Sequence, residues 1–423
     1  MTILSITRRR WAAACTMLFM AHPALAQSTS EEAEARFKRA LEQREQGDYQ
    51  SSIESLQGIL ANQPSLGRAR IELALSYFKA LNFAAAKAEA ERVLSDPHTP
   101  EAVRVTIRDL LSAIARDAQP HEFTPFVTLG VLHDSNINAG PGSDTINIDG
   151  ASLTLTPGST KRSDTALVLY TGVSHRYLLP TTVAAFGSNA AAFWQTTGSY
   201  YQTDYRATND FDLRVLTLST GPALVVPQRW RASLPVQYDA IDLGHTRTAA
   251  YLGVSPTFTW IVGKTELTLD AQYQTRRYVQ TANAGRNSGY QSLGVSLAHL
   301  LGNDKISMQA GFKGFTEHAS EARYTNRGDE SYLGIGWRPW SGGSLFARIS
   351  RKNVRHSGEE PLFALARKER EVRHVLGGSH EFNGGMLDKW LLTLNHTITR
   401  NRSNVAIYTY DRDQTMLTLG RSF

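Results

Sequence analysis

From residue 123 to the end of the chain, apolar and polar residues alternate with a period of two, and no helical pattern interrupts them. Residues 266–273, for example, read Glu-Leu-Thr-Leu-Asp-Ala-Gln-Tyr. This period is typical of β-strands that have one apolar and one polar face. A soluble sandwich would bury the apolar faces in a core, but charged residues recur on the polar faces over about 300 residues. A polar lumen and a lipid-facing exterior explain the pattern better, so we predict a transmembrane β-barrel over residues 121–423.

The barrel is predicted to have about 14 antiparallel strands. They begin near Phe123, Ser163, Ser188, Asn209, Trp230, Thr248, Thr265, Ser288, Lys305, Asp329, Ser344, Lys368, Leu387 and Tyr408. An even number is expected when both ends of a single-chain barrel lie in the periplasm. Tight turns with Gly or Asn occur at 263–264, 302–304, 341–343 and 383–385, and longer polar loops near 136–162, 277–287, 317–328, 353–367 and 401–408. We therefore expect short periplasmic turns, long external loops and aromatic girdles that include Trp260, Trp337, Trp340 and Trp390.

The beginning of the chain predicts export. Arg8–Arg10 form a positive region, Trp11–Met20 form a short apolar stretch, and Ala24-Leu25-Ala26 places small residues where a signal peptidase reads them. This pattern is that of a signal peptide over residues 1–26, cleaved after Ala26. The expected location is the cell outer membrane, with the segment before the barrel in the periplasm.

Composition excludes several classes of function. A single cysteine, Cys15, excludes a disulfide framework or a cysteine-rich metal site. The net charge of +6 is too small and too dispersed to indicate a nucleic-acid partner. The histidines show no paired spacing with carboxylate support, and no Gly-rich phosphate loop precedes a helix. We expect neither a metal nor another cofactor, and no enzyme activity.

Residues 27–120 have a different pattern, rich in Ala, Glu, Arg and Leu, that matches itself at an offset of 34 residues. The matched positions are Gly47 with Leu81, Tyr49 with Phe83, Ser52 with Ala86, Ile59 with Val93, and Leu60 with Leu94. This resembles the tetratricopeptide repeat, a helix-turn-helix unit of about 34 residues. The resemblance implies an all-α domain of two repeats with a terminal helix over 101–117, and the alternative is a small helical bundle.

Tetratricopeptide repeats bind partner segments on a concave face. Arg70, Tyr77 and Lys79 are candidates for a client-binding groove there, although Tyr77 falls at a position usually used for packing. At the other end of the chain, Leu417, Leu419 and Phe423 resemble the terminal strand signal that the barrel assembly machinery reads.

The leader, the short repeat domain and the barrel together resemble the surface lipoprotein assembly modifier (Slam) family. The barrel of that family opens with a segment similar to 126–138 here, in which Asp134, Ser135 and Asn136 close the first strand. The resemblance implies a translocator that moves a client lipoprotein or a soluble secreted protein from periplasm to cell surface or medium. It also implies contact with a periplasmic chaperone and with outer-membrane lipid. A seam between the Phe123 and Tyr408 strands is a candidate exit for a lipidated client.

Three alternatives stay open. His133 and Ser135 resemble the His-x-Ser-Asn motif of outer-membrane lipid hydrolases and point to the same strand face. An exopolysaccharide exporter would use a charged conduit, for which the candidates are Arg214, Arg276, Arg338, Arg348, Arg373 and Arg400. A simple solute porin is the third alternative, but it would not need the repeats.

Overall fold

The computed structural model describes residues 27–148 and 151–423, so the predicted signal peptide with Cys15 lies outside the described residues. The helices are α1 (Gln27–Glu45), α2 (Tyr49–Asn62), α3 (Gly67–Lys79), α4 (Phe83–Ser95) and α5 (Glu101–Asp117). The strands are β1 (His121–Asp134), β2 (Thr145–Ile148), β3 (Ala151–Thr154), β4 (Asp164–Ala185), β5 (Ser188–Tyr205), β6 (Leu213–Val226), β7 (Trp230–Ser233), β8 (Val236–Leu243), β9 (Thr246–Val254), β10 (Thr257–Val262), β11 (Thr265–Tyr278), β12 (Ser288–Leu301), β13 (Ile306–Ala319), β14 (Asn326–Trp337), β15 (Gly343–Glu360), β16 (Leu365–Glu381), β17 (Leu391–Ser403) and β18 (Tyr410–Ser422).

The first four helices form two helix-turn-helix pairs whose turns repeat after 34 residues. Gly47 and Leu81 both adopt a left-handed backbone, with φ of 82° and 61°. The next residue in each turn caps the following helix, because Asp48 accepts from the Ser51 amide and Asn82 from the Ala85 amide, both at 3.3 Å. The repeat seen in the sequence is therefore a repeat of turn geometry and helix capping.

Small and aliphatic residues hold the helices together. Leu56 is fully buried between α1 and α3, and the buried Ser52 and Ser76 hydroxyls lie 3.0 Å apart where α2 meets α3. Helix α5 covers the end of the stack through the buried Ile107 and Ile114. None of the described helices is long and apolar enough to cross a membrane.

The remaining strands, apart from the β2–β3 hairpin, close into one antiparallel barrel. β1 pairs with β18 through nine residue pairs, from Phe126–Ser422 to Asp134–Gln414. The closed sheet has 16 segments but 14 barrel strands, because β7 with β8 and β9 with β10 are each one strand broken before a proline. Pro235 and Pro256 lack an amide donor, which explains the two breaks. The prediction of a 14-stranded antiparallel barrel is confirmed.

The two faces of the barrel differ as the alternation predicts. Exposed apolar side chains form a belt on the outer face, among them Leu129, Val131, Leu167, Leu218, Leu269, Val295, Phe312, Leu333, Ile335, Leu376, Leu394 and Leu417. Residues paired across neighbouring strands share a face, so Glu266, Asp270 and Arg276 lie on the inner face. A closed barrel with an apolar exterior satisfies every backbone group within lipid, and the protein is accordingly an outer-membrane barrel.

We call the end of the barrel nearest α5 the helical end and the opposite end the far end. Most connections at the helical end are short, as at 186–187 and 263–264, and Trp260 and Trp337 are exposed there. The β16–β17 connection, 382–390, is longer, so the tight turn expected at 383–385 is part of a nine-residue loop. The far end has one long connection, 135–163. The expected long loop at 353–367 is wrong, because β15 continues to Glu360 and β16 begins at Leu365. The side chains of this hairpin are polar because the hairpin extends beyond the lipid, although its backbone is still that of regular strands.

Candidate functional site

The helical domain is attached to the barrel at three places. The chain passes from Asp117 at the end of α5 to His121 at the start of β1, so the linker is short. The turn between α1 and α2 contacts the turn between β6 and β7, where Arg229 lies 3.5 Å from the Asp48 carboxylate. Gly47 fits closely against the same turn, because an added Cβ would lie 2.7 Å from Cγ of Gln228. The third contact is made by Leu81.

Leu81 reaches the inner wall of the barrel at the helical end. Its side chain packs against Ala191 and Phe193 of β5 and Ala223 of β6, all of which are buried. These residues share the inward face of their strands. The second turn of the helical repeat therefore inserts an apolar side chain into the mouth of the lumen. The sequence does not indicate this contact. Leu81 occupies the repeat position of Gly47, which predicts only a turn between two helices.

A cleft of about 660 Å³ lies between helices α4 and α5 and the β4 strand. We call it the rim cleft. Phe83, Leu111 and Ala115 provide an apolar wall, and Lys87 and Glu91, which pair with each other at 3.7 Å, provide a polar edge. On the barrel side the cleft is lined by Tyr177, Leu178, Leu179, Pro180 and Thr181. The cleft joins the helical domain to the mouth of the barrel. Its two walls are far apart in the chain, so no local sequence pattern indicates it.

Two of the three predicted groove residues have structural partners instead. Arg70 donates to Glu89 at 2.7 Å and to the Pro64 carbonyl at 2.7 Å, so it ties α3 to α4 and to the preceding turn. Tyr77 packs against the first helical core and accepts a hydrogen bond from the Gln57 amide at 2.7 Å. Burial raises the pKa of the Tyr77 phenol. Lys79 alone is exposed, so these residues do not form one open groove.

The lumen is lined by charges of both signs, most of them paired. Arg231 binds Glu266 through contacts of 3.1 and 2.5 Å, and Arg276 donates to Glu317 at 3.0 Å. Three further inward pairs are Arg373–Glu371, Lys313–Glu330 and Arg176–Glu122. The acid Asp239 accepts from the Thr217 hydroxyl at 2.7 Å. The inner surface is therefore polar and amphoteric.

The six candidate conduit arginines do not line one path. Arg214 and Arg400 share the outer face with the apolar belt, and Arg338 donates to the Asp304 carbonyl at a helical-end turn. Arg276 and Arg373 face inward but are paired with glutamates, as described above. Arg348 faces inward and stacks over the Tyr332 ring at 3.8 Å. A uniformly basic passage is absent from the described part of the chain.

At the far end, Asp134 joins the first and last strands. Its carboxylate is fully buried and accepts from Nε of Arg412 at 3.0 Å and from the Gln414 amide at 2.9 Å. The Tyr205 hydroxyl approaches the same carboxylate at 3.5 Å. Because Arg412 and Gln414 belong to β18, this buried pair bridges the β1–β18 seam.

Ser135 and Asn136 extend the same junction. The Ser135 amide donates to the Asp413 carbonyl at 2.9 Å, and the Asp413 amide donates to the Ser135 hydroxyl oxygen at 2.8 Å. The buried Asn136 amide group donates to the carbonyls of Gly140 and Asp411 at 2.9 and 3.0 Å. We call Asp134, Ser135, Asn136 and Arg412 the seam clasp.

The hydrolase pair has no catalytic contact in this geometry. The His133 ring bonds the Thr165 hydroxyl at 3.0 Å rather than Ser135. The Ser135 oxygen instead accepts from the β18 backbone, as described above. The two residues are therefore committed to strands on opposite sides of β1.

The terminal strand, β18, forms one side of the seam. Leu417 and Leu419 pair with Val131 and Leu129, so they continue the apolar belt. Phe423 is exposed, and its amide donates to the Pro125 carbonyl at 2.9 Å. Their role as a terminal assembly signal stays a prediction.

A small apolar cluster joins three connections at the far end. Ile146 of the β2–β3 hairpin, Phe363 of the 361–364 turn and Val405 of the 404–409 loop are buried together. Arg367 stacks over the Tyr408 ring at 4.0 Å beside them. The long 135–163 connection is therefore fixed to the tips of the β15–β16 and β17–β18 hairpins.

The fold and lumen define the class of protein, an outer-membrane β-barrel with a helical domain on its rim. No family model matches the chain, and no curated protein matches it. Among solved structures, Pseudomonas aeruginosa OpdK with vanillate matches with 13% identity and a TM-score of 0.36, over 71% of this chain and 98% of that one. Pseudomonas aeruginosa OpdQ has 10% identity and a TM-score of 0.33, over 72% of this chain and 99% of that one. Acinetobacter baumannii OccAB4 has 8% identity and a TM-score of 0.35, over the same shares. Similarity at this level carries no argument about function, and the architecture rests on the strand register itself.

Proposed function

We propose that this protein is a translocator that carries a polypeptide client through the outer membrane, from the periplasm to the cell surface or medium. The observation that carries the proposal is the position of the helical domain. It is fixed to the rim of the barrel, with Leu81 in the mouth of the lumen and the rim cleft beside it. A binding module held there delivers its ligand directly to the passage.

The proposed orientation places the helical domain in the periplasm. In single-chain outer-membrane barrels the short turns are periplasmic and the longer connections are external. Here the helical end carries tight turns such as 186–187, and the far end carries the 135–163 connection. The far end then faces the outside of the cell.

The rim cleft is suited to an unfolded segment of the client. Its apolar wall provides contacts for side chains, and the exposed Lys87–Glu91 ion pair at the edge offers polar contacts. Helical repeats bind extended partner segments in this manner. We place client recognition in this cleft rather than at Arg70 and Tyr77, which are engaged in packing. A periplasmic chaperone that keeps the client unfolded is the natural donor.

The lumen favours a polypeptide over a polyanionic glycan. Inward cations such as Arg231 and Arg276 are paired with glutamates, so an anionic polymer would meet carboxylates along the wall. A polypeptide carries both signs of charge and finds partners for each. The resemblance to the Slam family gives the client class, a surface lipoprotein or a soluble secreted protein.

The test is comparative proteomics of the cell surface and medium in a deletion strain. The strain is complemented with the wild-type gene, with Leu81→Asp, or with the matched control Val105→Asp, which changes an exposed residue on α5. We expect one or a few proteins to leave the surface and accumulate inside the deletion strain. Wild type and Val105→Asp restore them, and Leu81→Asp does not.

Three outcomes would count against the proposal. Unchanged surface and medium proteomes in the deletion strain would remove the protein-translocation function. Loss of an exported polysaccharide in the same strain would replace it with glycan export. Full export by Leu81→Asp would instead show that the position of the helical domain is not what carries the function.

A further inference from the structure

We propose that the outer face of β14–β16, at the far end, binds the phosphate groups of a lipid in the outer leaflet. Five outward-facing cations define this surface, which we call the cationic patch: Arg327, Arg351, Arg355, Lys368 and Arg370. All five are exposed. The proposal rests on the orientation proposed above, in which the far end faces outward.

Strand register places cations directly opposite one another in the patch. Arg327 pairs with Arg355, and Arg355 pairs with Lys368 on the next strand. One row nearer the membrane, Arg370 pairs with Arg402 of β17. Neighbouring strands are about 4.8 Å apart, and like charges directly opposite each other destabilise a sheet. Such an arrangement calls for an anion that binds several cations at once.

The protein does not supply that anion within the described residues. Arg402 is neutralised by Asp411 at 2.6 Å, and Arg351 donates only to the Asn353 amide oxygen at 3.3 Å. Among residues 27–148 and 151–423, no carboxylate forms an ion pair with Arg327, Arg355, Lys368 or Arg370. The nearby acid Asp329 accepts from Asn353 at 2.8 Å.

The patch lies directly beyond the apolar belt. The exposed Ile349 is two residues before Arg351 on β15, and the exposed Leu333 is two residues from Ser331, the partner of Arg351 on β14. Two strand residues span about 6.7 Å, so the cations begin where acyl chains give way to headgroups. The surface is indented by an open depression of about 490 Å³. Arg351, Arg355, Lys368 and Arg370 line it together with two acids, Asp329 and Glu369, so the cations outnumber the carboxylates.

The rest of the far rim contrasts with the patch. On the β8–β9 side the outward-facing Arg247 is neutralised by Asp242. Arg277 of β11 also faces outward, but the residue opposite it on β9 is Ala250 and not a cation. The guanidinium fork matches the oxygens of a phosphate, and one phosphate group can accept from several arginines at once. The occupant we infer is therefore a lipid whose headgroup bears phosphate, with its acyl chains on the belt below.

The experiment compares the purified full-length protein with two double variants. Arg355→Gln/Arg370→Gln removes two patch cations, and Arg206→Gln/Arg277→Gln removes two exposed far-end arginines elsewhere. Binding in nonionic detergent is measured by native mass spectrometry with bisphosphorylated lipid A, with the same lipid after removal of both phosphates, and with inorganic phosphate. At about 1 kcal/mol per cation, we expect the patch variant to bind the bisphosphorylated lipid roughly 30-fold more weakly, and the control variant to bind as wild type.

Equal binding by all three proteins, or equal binding of the dephosphorylated lipid, would overturn the proposal. Displacement of the lipid by inorganic phosphate at a similar concentration would also overturn the proposal. It would show that contacts between the acyl chains and the apolar belt contribute nothing to the affinity. A heat-modifiability gel confirms that each variant is a folded barrel. A Glu359→Cys label from a membrane-impermeant maleimide on intact cells tests the orientation separately. Failure to label would remove the outer leaflet as the source of the lipid, whereas failed lipid binding leaves the translocator proposal intact.

Discussion

The seam between β1 and β18 and the wall formed by β6–β10 are built differently. The seam has nine consecutive residue pairs, and hydrogen bonds beyond both ends continue it through Phe423 and Ser135. The wall is interrupted, because Pro222, Pro235 and Pro256 lie on three neighbouring barrel strands and each lacks an amide donor. The backbone also approaches closely there, since a Cβ on Gly221 would lie 2.2 Å from the Leu234 carbonyl oxygen.

The difference indicates which part of the barrel is free to deform. The seam is closed by a ladder and by the buried Asp134–Arg412 pair at its far end. Within the described residues, the interrupted wall has no fully buried ion pair at its breaks, since its Arg231–Glu266 pair is partly exposed. Its helical-end turn is the one that Asp48 contacts. For the translocator that we propose, the closed seam makes lateral exit of a client between the first and last strands the less favourable route. A route along the lumen, with movement confined to the wall beneath the helical domain, agrees better with this geometry.

The largest expected effect follows from breaking the seam clasp. Arg412→Met leaves the Asp134 carboxylate fully buried without its cation, which costs about 3–5 kcal/mol of folding free energy for a buried pair. The measurement is urea unfolding of the barrel in detergent, followed by the heat-modifiability shift. We expect Arg412→Met to unfold at clearly lower urea concentration than wild type.

The matched control is Arg400→Met on the adjacent strand. Arg400 pairs with Asp413 at 3.0 Å on the outer face, where both side chains are more than a third exposed. Exposed pairs contribute about 0–1 kcal/mol. If the two variants lose the same stability, the seam is not distinguished by its clasp and the comparison with the wall fails.

The second effect tests whether the helical domain supports the interrupted wall. Leu81→Gly removes the side chain from the mouth but suits the left-handed backbone, where φ is 61°. We expect faster amide exchange in β6 and β7 and faster proteolysis between Asp117 and His121. Exchange in β1 and β18 should not change. Uniform acceleration in all strands would show that Leu81 acts on the whole barrel and not on this wall.

The third effect concerns the ion pair at the same turn. Asp48→Asn keeps the helix cap but removes the charge that faces Arg229, and Asp48→Ala removes both. The exposed ion pair contributes about 0–1 kcal/mol and the cap about 1 kcal/mol. We expect Asp48→Ala to destabilise the helical domain more than Asp48→Asn, as measured by thermal unfolding. Equal effects would show that the attachment to Arg229 outweighs the cap.

Much of this architecture could be predicted from sequence because it depends on local periodicity. The alternation of Leu267 and Leu269 with Glu266 and Thr268 fixes which face meets lipid, and repetition of that rule gives the strand number. The 34-residue repeat is equally local, since Asp48 and Asn82 each cap the helix that follows. The first helix-turn-helix pairs could therefore be recognised without long-range information.

The candidate sites were harder to predict because they join distant parts of the chain. Asp134 was singled out at the end of β1, but its partner Arg412 is 278 residues away and carries no motif of its own. Leu81 and Ala223 have no sequence relation that indicates contact in the mouth of the barrel. The sequence predicts a groove at Arg70 and Tyr77, because charge and aromatic character do not reveal structural partners such as Glu89 and Gln57.

The smallest expected effect comes from the prolines of the wall. Replacing Pro235 and Pro256 with Ala supplies two amide donors but also increases the freedom of the unfolded chain. The new donors stabilise the barrel by about 0.5–1.5 kcal/mol per hydrogen bond formed. The greater freedom of the unfolded chain destabilises it by about 0.4–1 kcal/mol per site. The two nearly cancel in global stability, so urea unfolding should change by less than about 1 kcal/mol. Amide exchange in β8 and β9 should nevertheless slow, and Pro100→Ala, at the start of α5, should leave it unchanged.

Export of the client should fall in the double variant if movement of this wall accompanies passage. Unchanged exchange would mean that the breaks are set by the close approach at Gly221 and not by the missing donors.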